Sequence, residues 1–271
     1  GLSPSALLET IAETAHEMVA EQYGVLNQAL LPELEQEGIR FLARDAWTPE
    51  LVRWVARYFN DQVSPVLSPM GVDPVHPFPQ ILTKSLNFIV SLSGKDAFGR
   101  HVDMAIVQAP RSLPRLIALP DGLAGGPQDF VFLSSIIHAH VSDLFPGMDV
   151  NDCYQFRVTR NGDLSVEDEE VDDLLRALEG ELPERRFADA VRLEVADNCP
   201  KKFCSFLLRI FHLEEQDMYT VNGPVNLGRL RALTDLVDRP ELKFPPFTPR
   251  PVVRPNSDIF EVVRRGDILL H

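Results

Sequence analysis

The sequence predicts an α+β protein with a long N-terminal helix, followed by a mixed, largely antiparallel sheet domain with flanking helices. Three observations support this fold class. Apolar residues recur at steps of three and four through the first 38 residues, which is the period of a helix. Short alternating segments separated by turn residues occupy residues 87–133, as is typical of an antiparallel sheet. Beyond residue 190, strand and helix patterns alternate.

The composition predicts a globular protein with a sizeable core. The chain has 271 residues, of which 45% are hydrophobic and 24% charged, and its formal net charge is −14. A surface of that charge repels polyanions, so we expect no general binding of nucleic acid. Three cysteines are too few for a disulfide framework and indicate a reducing compartment. The hydropathy pattern predicts neither a transmembrane segment nor a secretory leader.

The first helix is predicted from Ser3 to Gly38. Ser3 before Pro4 is a helix-start signal, and Gly38 can adopt the left-handed conformation that ends a helix. Pro32 is expected to loosen the last turn. The apolar stripe of this helix consists of Leu8, Ala12, Ala15, Val19, Tyr23, Leu26, Leu30 and Leu34. A helix this long needs a partner for its stripe, which is the rest of the chain, another copy or a segment outside the chain.

A second helix is predicted after the capping residue Thr48, and Pro65 and Pro69 are expected to end it. Its predicted inner face consists of Val52, Val55, Ala56, Phe59 and Val63. The strands that follow are predicted at residues 87–92, 102–108, 115–119 and 130–133. Because their connections are short, we expect an antiparallel meander, followed by a helix at 134–144.

The stretch from residue 154 to 178 combines a strand, a turn and a helix. Tyr154, Phe156 and Val158 alternate with polar residues, as in a half-buried strand. Asn161 and Gly162 tolerate the positive φ of a tight hairpin turn. A helical period follows and opens in the acidic run at residues 167–173.

The remaining elements alternate in type. Strands are predicted at residues 190–195 and 218–221, and helices at 200–211 and 227–236. The proline-rich segment 238–255 predicts a linker or an extended strap. Asp258 is expected to cap a short final helix.

The histidines and cysteines do not have the spacing of a metal site. His138 and His140 are two apart on a predicted helix and therefore point to different faces. Cys199 and Cys204 are five apart, with His212 downstream, whereas zinc sites use closer cysteine pairs and four ligands. We therefore predict no metal site in this chain.

The charged residues leave two interpretations open. The acidic run at 167–173 could hold a divalent cation, although a solvated helix face is the favoured interpretation. Arg157 and Arg160 could meet a phosphate, although pairing with nearby acids is favoured. The sequence contains no phosphate-binding Gly-x-x-x-x-Gly-Lys loop and no Gly-x-Ser-x-Gly nucleophile elbow. The residues alone therefore predict an α+β domain without a convincing catalytic constellation.

Seven stretches, in matching order and spacing, resemble the class 1 polyphosphate kinase family. They are residues 21–38 (EQYGVLNQALLPELEQEG), 73–88 (DPVHPFPQILTKSLNF), 145–148 (FPGM), 156–163 (FRVTRNGD), 191–195 (VRLEV), 218–227 (MYTVNGPVNL) and 258–271 (DIFEVVRRGDILLH). The resemblance implies an enzyme that reversibly transfers the terminal phosphate of ATP to inorganic polyphosphate with Mg²⁺, through a phosphohistidine. One departure is the run QILTK at 80–84, where an Ile-Ser-Asn-Leu-like run is usual and Lys84 adds a positive charge.

The resemblance also implies a division into domains. Residues 1–38 correspond to the last helix of the N-terminal helical domain, 39–250 to the middle or head domain, and 251–271 to a linker and the start of the first C-terminal catalytic domain. In the family, the phosphate-accepting histidine and most of the arginines around the nucleotide and the metal belong to the C-terminal domains. We therefore assign no catalytic residue, since His271 does not match the nucleophile motif, and we expect ATP and Mg²⁺ to bind mainly outside this chain. The fragment alone is expected to be inactive.

The resemblance implies that this chain supports assembly of the oligomer and helps to frame the catalytic half. We expect a homo-oligomer in the cytoplasm, with peripheral association with the membrane as an alternative location. Arg157 and Arg160 are the candidate phosphate contacts, and a polyphosphate contact of Lys84 is left open. Two other functions remain alternatives: a non-enzymatic oligomerisation or partner-docking module built on the apolar stripe, and a cation-binding regulatory domain built on residues 167–173.

Overall fold

The computed structural model describes residues 3–72, 78–96, 99, 101–161, 189–248 and 258–266. The hairpin turn at Gly162, the acidic helix at 167–178 and His271 lie outside the described residues. The chain divides into two compact units, Gly1–Leu233 and Thr234–His271.

The described elements confirm the predicted α+β fold class. The helices are α1 Pro4–Val25, α2 Leu31–Gln36, α3 Pro49–Tyr58, α4 Leu133–His140, α5 Lys201–Phe211, α6 Leu233–Leu236 and α7 Ile259–Arg265. The strands are β1 Ile39–Phe41, β2 Ser68–Val72, β3 Leu86–Gly94, β4 Met104–Ala109, β5 Leu116–Ala118, β6 Gln128–Phe132, β7 Met148–Arg160, β8 Ala190–Ala196 and β9 Met218–Val221. The predicted helices at 134–144 and 227–236 are each part α-helix and part 3₁₀-helix. The 3₁₀ part is Val141–Leu144 in the first and Leu227–Ala232 in the second.

The described strands form two sheets, so the prediction of one continuous meander is wrong. A six-stranded sheet has the order β2-β4-β3-β7-β8-β9, and its pairs are antiparallel except for β8 with β9. β5 and β6 instead form a three-stranded sheet with β1, which runs parallel to β6. β6 pairs with β1, which is distant in sequence, and side chains also join these two strands. Arg40 of β1 donates two hydrogen bonds to the carboxylate of Asp129 in β6, at 2.7 and 2.8 Å.

β2 was not predicted because its sequence contains Pro69 and Gly71, which are poor strand formers. The strand lies at the edge of the six-stranded sheet, and it pairs only with β4 among the described strands. A proline is tolerated at an edge because one side of an edge strand has no ladder of hydrogen bonds to complete.

Two helices contain a wide π-turn just before a proline. α1 continues through the π-turn Leu26–Leu30 into α2, and α3 continues through the π-turn Phe59–Val63. Pro32 and Pro65 each follow two residues after such a turn. A proline has no N–H and clashes with the carbonyl one turn earlier, and the wider turn accommodates this. The predicted loosening at Pro32 therefore takes the form of a π-turn that precedes it.

The two faces of the six-stranded sheet carry separate apolar clusters. One cluster lies under α5 and includes Phe156, Val158, Leu193 and Leu207. The other lies under α1, α3 and α4. In α3, Leu51, Val55, Phe59 and Val63 of the continuing helix are fully buried, which confirms three members of the predicted inner face. Val52 is 45% exposed, so its predicted burial is wrong, because the four-residue step places Leu51 on that face instead.

The predicted stripe of α1 is buried only in its middle. Val19, Tyr23 and Leu26 are buried, whereas Leu8 and Leu30 are 60% and 48% exposed. The buried part packs on the loop after β9, where the Tyr23 hydroxyl donates to the carbonyl of Pro224 at 2.8 Å. A Cβ at Gly223 would lie 3.2 Å from the Tyr23 ring, so the loop needs glycine for this approach.

The second unit has little regular structure in its described part. Pro240–Leu242 is a 3₁₀ turn, and residues 243–248 contain neither helix nor strand, as predicted for the proline-rich segment. Phe244 and Phe247 are 98% and 84% exposed. Asp258 caps α7, since its carboxylate accepts a hydrogen bond from the Phe260 N–H at 2.9 Å.

Candidate functional site

Strand β7 positions both candidate phosphate contacts at its C-terminal end. The strand lies between β3 and β8 in the six-stranded sheet. Phe156 and Val158 point into the apolar cluster under α5, so Arg157 between them points to the opposite face, toward α1. Strand alternation therefore decides which layer each charged side chain joins.

Arg157 forms an ion pair with a carboxylate of the neighbouring strand. Arg157 is opposite Glu194 in the β7–β8 register, and its Nε lies 3.5 Å from Glu194 Oε2. The side chains are 14% and 6% exposed. Glu194 is thus one acid that Arg157 meets, and the acids at 167–173 lie outside the described residues.

A second arginine shares the same carboxylate. Arg192 donates to Glu194 Oε1 at 2.7 Å, and its guanidinium lies 3.9 Å from the centre of the Tyr219 ring. The backbone N–H of Asn226 also donates to Glu194 Oε2, at 3.4 Å. We call Arg157, Arg192 and Glu194 the arginine–glutamate cluster.

The arginine–glutamate cluster is tied to α1 through stacked rings. The other face of Tyr219 stacks on His16 of α1, with 4.1 Å between the ring centres and 14° between their planes. His16 Nε2 lies 2.9 Å from the carbonyl oxygen of Gln216. Gln155, also on this face of β7, donates to the carbonyl of Gly223 at 2.9 Å. The site is therefore built by β7, β8, β9 and α1 together.

Arg160 is placed away from the arginine–glutamate cluster. The β7–β8 register shifts between Thr159 and Arg160. The Arg160 guanidinium lies 5.7 Å from the centre of the Phe211 ring of α5, and its Nε donates to the carbonyl of Ile81 at 3.2 Å. Burial lowers the pKa of this guanidinium. The structure thus places Arg157 and Arg160 on opposite faces of the sheet.

Lys84 lies in the loop that crosses the end of β7. Its N–H donates to the carbonyl of Val158 at 2.7 Å, and its carbonyl accepts from Asn226 Nδ2 at 3.4 Å. Lys84 and Asn226 both have left-handed backbone conformations, with φ of 53° and 67°. The run at 80–84, which differs from the usual family sequence, thus lies beside Asn226, whose N–H donates to Glu194.

The two helix histidines have different surroundings. His138 Nδ1 accepts a hydrogen bond from Arg44 at 2.7 Å, and burial together with the Arg44 charge lowers the pKa of His138. His140 lies 2.9 Å from an Asp143 carboxylate oxygen and stacks on Phe59. These contacts agree with the prediction that the two rings point to different faces. In the described part of the chain, no group of three or more His, Cys, Asp or Glu could hold a metal ion.

Sequence reasoning missed Glu194, Arg192 and Tyr219. A signal was present, because Arg192 and Glu194 have opposite charge and the two-residue spacing of one strand face. What the sequence did not provide was the pairing of β8 with β7, which brings Glu194 opposite Arg157. No helix among the described residues is long and apolar enough to cross a membrane.

The fold and the site define an α+β domain in which a shared carboxylate gathers arginines between a sheet and its covering helix. The polyphosphate kinase middle domain matches residues 50–233 as a sequence family. The chain therefore belongs to the polyphosphate kinase family, as its resemblance to class 1 members indicated.

Individual relatives agree with this assignment. The chain is 56% identical over 272 residues to a polyphosphate kinase of Pseudomonas putida and 52% identical over 273 residues to one of Neisseria gonorrhoeae. All of this chain is covered in both comparisons, but it spans only 37% and 40% of those proteins. The crystal structure of a polyphosphate kinase from Porphyromonas gingivalis has the same fold, with a TM-score of 0.69 at 22% identity over 92% of this chain and 35% of that one.

Proposed function

We propose that this chain is the non-catalytic, supporting part of an enzyme that reversibly transfers the terminal phosphate of ATP to inorganic polyphosphate. The observation that carries this proposal is the alignment of the whole chain with about two-fifths of proteins named polyphosphate kinase. The phosphohistidine, ATP and Mg²⁺ then belong to the part of such a protein that this chain does not span.

We propose that Mg²⁺ and ATP bind mainly outside this chain. In support, the described residues include no group of three or more carboxylates, histidines or cysteines suited to a metal ion. The guanidiniums of the arginine–glutamate cluster face a carboxylate at 2.7 and 3.5 Å, so a phosphate would share them with Glu194. We assign no catalytic residue to this chain.

A phosphate-transfer assay tests the division of labour. The 271-residue chain and a complete polyphosphate kinase containing it are each supplied with ATP, Mg²⁺ and polyphosphate, and ADP release and chain growth are measured. We expect transfer from the complete protein and none above background from the 271-residue chain. Clear turnover by the shorter chain would contradict the proposal.

We also propose that Arg157 and Arg160 contact polyphosphate in the complete enzyme. Arg157 is supported by its place beside Arg192, because two neighbouring guanidiniums suit the oxygens of a phosphate chain. Arg160 is supported by its place at the end of the same strand, next to the loop of Lys84. Since the two arginines lie on opposite faces, each would contact a different part of the polymer.

Variants of the complete enzyme show whether each arginine contacts polyphosphate or only stabilises the fold. One variant of each arginine keeps the positive charge, and the other removes it. Arg157→Gln should raise KM for polyphosphate about 5-fold with little change in kcat, while Arg157→Lys should retain most of the affinity because a lysine keeps the charge. Arg160→Gln and Arg160→Lys are compared in the same way. Equal loss in the Gln and Lys variants, together with a lower melting temperature, would assign the arginine a structural role only.

The alternative, an oligomerisation module, is favoured by a specific surface. Leu7, Ile11, Met18 and Val25 of α1 are 50%, 53%, 56% and 46% exposed and lie on one side of the helix. We call them the outer face of α1. It replaces the apolar stripe as the candidate interface, because the middle of that stripe is buried within this chain.

A second copy of this chain is the occupant that the outer face fits. Ile11, Met18 and Val25 are seven residues apart, the repeat that pairs identical helices in a coiled coil. Light scattering should give a dimer or larger assembly for the native chain and a monomer for Met18→Glu. Glu17→Lys, a charge change beside the outer face, is the control. A strict monomer of the native chain at high concentration would exclude this interface.

A further inference from the structure

Two cysteine side chains meet at the start of α5. Cys199 precedes the N-cap residue Pro200, and Cys204 is the fourth residue of the helix. These are the two positions whose side chains contact each other in a hydrophobic staple at a helix N-terminus. The contact is present here, because the Cys204 thiol donates to the carbonyl oxygen of Cys199 at 3.6 Å.

The third cysteine has a different environment and serves as an internal reference. Cys153 is buried on the face of β7 that lies toward α3 and α4, and burial raises the pKa of its thiol to about 12. Cys199 is half-buried, whereas Cys204 and Cys153 are 7% and 4% exposed, so a peroxide reaches the pair from the side of Cys199. Oxidation should therefore distinguish the pair from Cys153.

We propose that Cys199 and Cys204 are a reversible oxidation site, at which a hydroperoxide joins them in a disulfide across the N-cap of α5. A disulfide formed in a reducing compartment is characteristically transient.

The neighbouring thiol favours the first step. Hydrogen bonding by the Cys199 thiol lowers the pKa of Cys204 to about 7 and raises the pKa of Cys199. Cys204 is therefore the sulfur that becomes a thiolate near neutral pH. The thiolate attacks the O–O bond of the hydroperoxide, takes up one oxygen as a sulfenic acid and releases hydroxide or alkoxide.

The second sulfur lies beside the first at the start of α5. The neighbouring sulfur attacks the sulfenic sulfur, forms the S–S bond and displaces the hydroxyl group, which leaves as water with the thiol proton. One hydroperoxide thus oxidises two thiols by two electrons and is reduced to water or an alcohol and water. A dithiol reductant reverses the reaction by thiol–disulfide exchange.

Peptide mapping of the 271-residue protein tests the proposal directly. Trypsin cleaves after Lys201 and Lys202, so the two cysteines fall in separate peptides, residues 193–201 and 203–209. After treatment with hydrogen peroxide and alkylation under denaturing conditions, we expect these peptides to remain joined without reductant and to separate with it. Cys153 should be recovered alkylated. Separate peptides after peroxide treatment, or equal oxidation of Cys153, would overturn the proposal.

Two controls show whether the fold creates the reactivity. Peroxide treatment in concentrated urea should slow formation of the joined peptides at least about 10-fold, because the unfolded chain no longer holds the sulfurs in contact. Equal rates in the folded and unfolded chain would contradict a structural origin. Cys199→Ser and Cys204→Ser should each abolish the joined peptides.

Melting curves give a second readout. The native protein should melt about 3–6 °C higher after oxidation, because the bond restricts the unfolded chain around the helix start. The two serine variants should show no such rise. A fall in the melting temperature of the oxidised native protein would show that the staple geometry does not accept the bond.

Discussion

The two faces of β7 and β8 are built from consecutive residues but are held together by different forces. On the face toward α5, Phe156, Val158, Leu193 and Val195 are fully buried. On the face toward α1, the alternating positions carry Arg157, Arg192 and Glu194. One face is stabilised by removal of apolar surface from water, and the other by charge pairing and directed hydrogen bonds.

The difference matters for how the covering helices are positioned. Burial of apolar surface is not directional. The apolar face therefore holds α5 against the sheet, but only the shapes of the packed side chains restrict where along the sheet α5 lies. On the side of the polar face, the N-terminal helix has defined partners in the loop after β9, because the Tyr23 hydroxyl donates to Pro224 and the Asn27 amide in the π-turn donates to Asn222. A shift of the helix by one turn would break these bonds. We infer that they fix the register of α1 on the sheet.

The largest expected effect is on the apolar face. Phe156→Ala should lower the free energy of unfolding by about 4 kcal/mol, through lost transfer energy and the cavity left under α5. Urea unfolding of the 271-residue chain, followed by circular dichroism, measures this. Phe156→Leu keeps most of the volume and should cost about 1–1.5 kcal/mol. Equal losses for both variants would mean that shape, rather than buried area, dominates this face.

The apolar face was also the better predicted of the two. The alternation of Phe156 and Val158, the helix at 200–211 and the strand at 218–221 are all present in the structure. A local pattern is sufficient there because burial requires only apolar residues at the right period. The same reasoning placed Val52 wrongly on the buried face of α3, since the adjacent Leu51 and Val52 offered two registers of the helical face.

The polar face was only partly predictable because its partners are far apart in sequence. Arg157 and Glu194 are brought together by the β7–β8 pairing, and His16 meets Tyr219 across about 200 residues. The separation of β5 and β6 into a second sheet depends likewise on β1, which lies some 90 residues earlier. No local period encodes such pairings. The family resemblance of FRVTR, VRLEV and MYTVNGPVNL marked the stretches that meet, without stating that they meet.

The second prediction breaks the charge balance of the polar face. Glu194→Gln should lower the free energy of unfolding by about 2–3 kcal/mol, because it leaves two half-buried guanidiniums without their shared carboxylate. Replacing all three members of the cluster by methionine should cost less than this single change, since no unpaired charge remains. Denaturant unfolding of both variants decides the order. A larger loss in the triple variant would mean that the ion pairs contribute net stability.

The smallest expected effect concerns the ring between the cluster and α1. Tyr219→Leu removes the surface on which Arg192 and His16 stack and should cost about 1–1.5 kcal/mol, whereas Tyr219→Phe keeps the ring and should cost less than about 0.5 kcal/mol. A double-mutant cycle with Arg192→Met should return a coupling of about 0.5–1 kcal/mol. Zero coupling would mean that Tyr219 contributes only apolar packing. The polar face would then differ from the apolar face only through the ion pairs of Glu194.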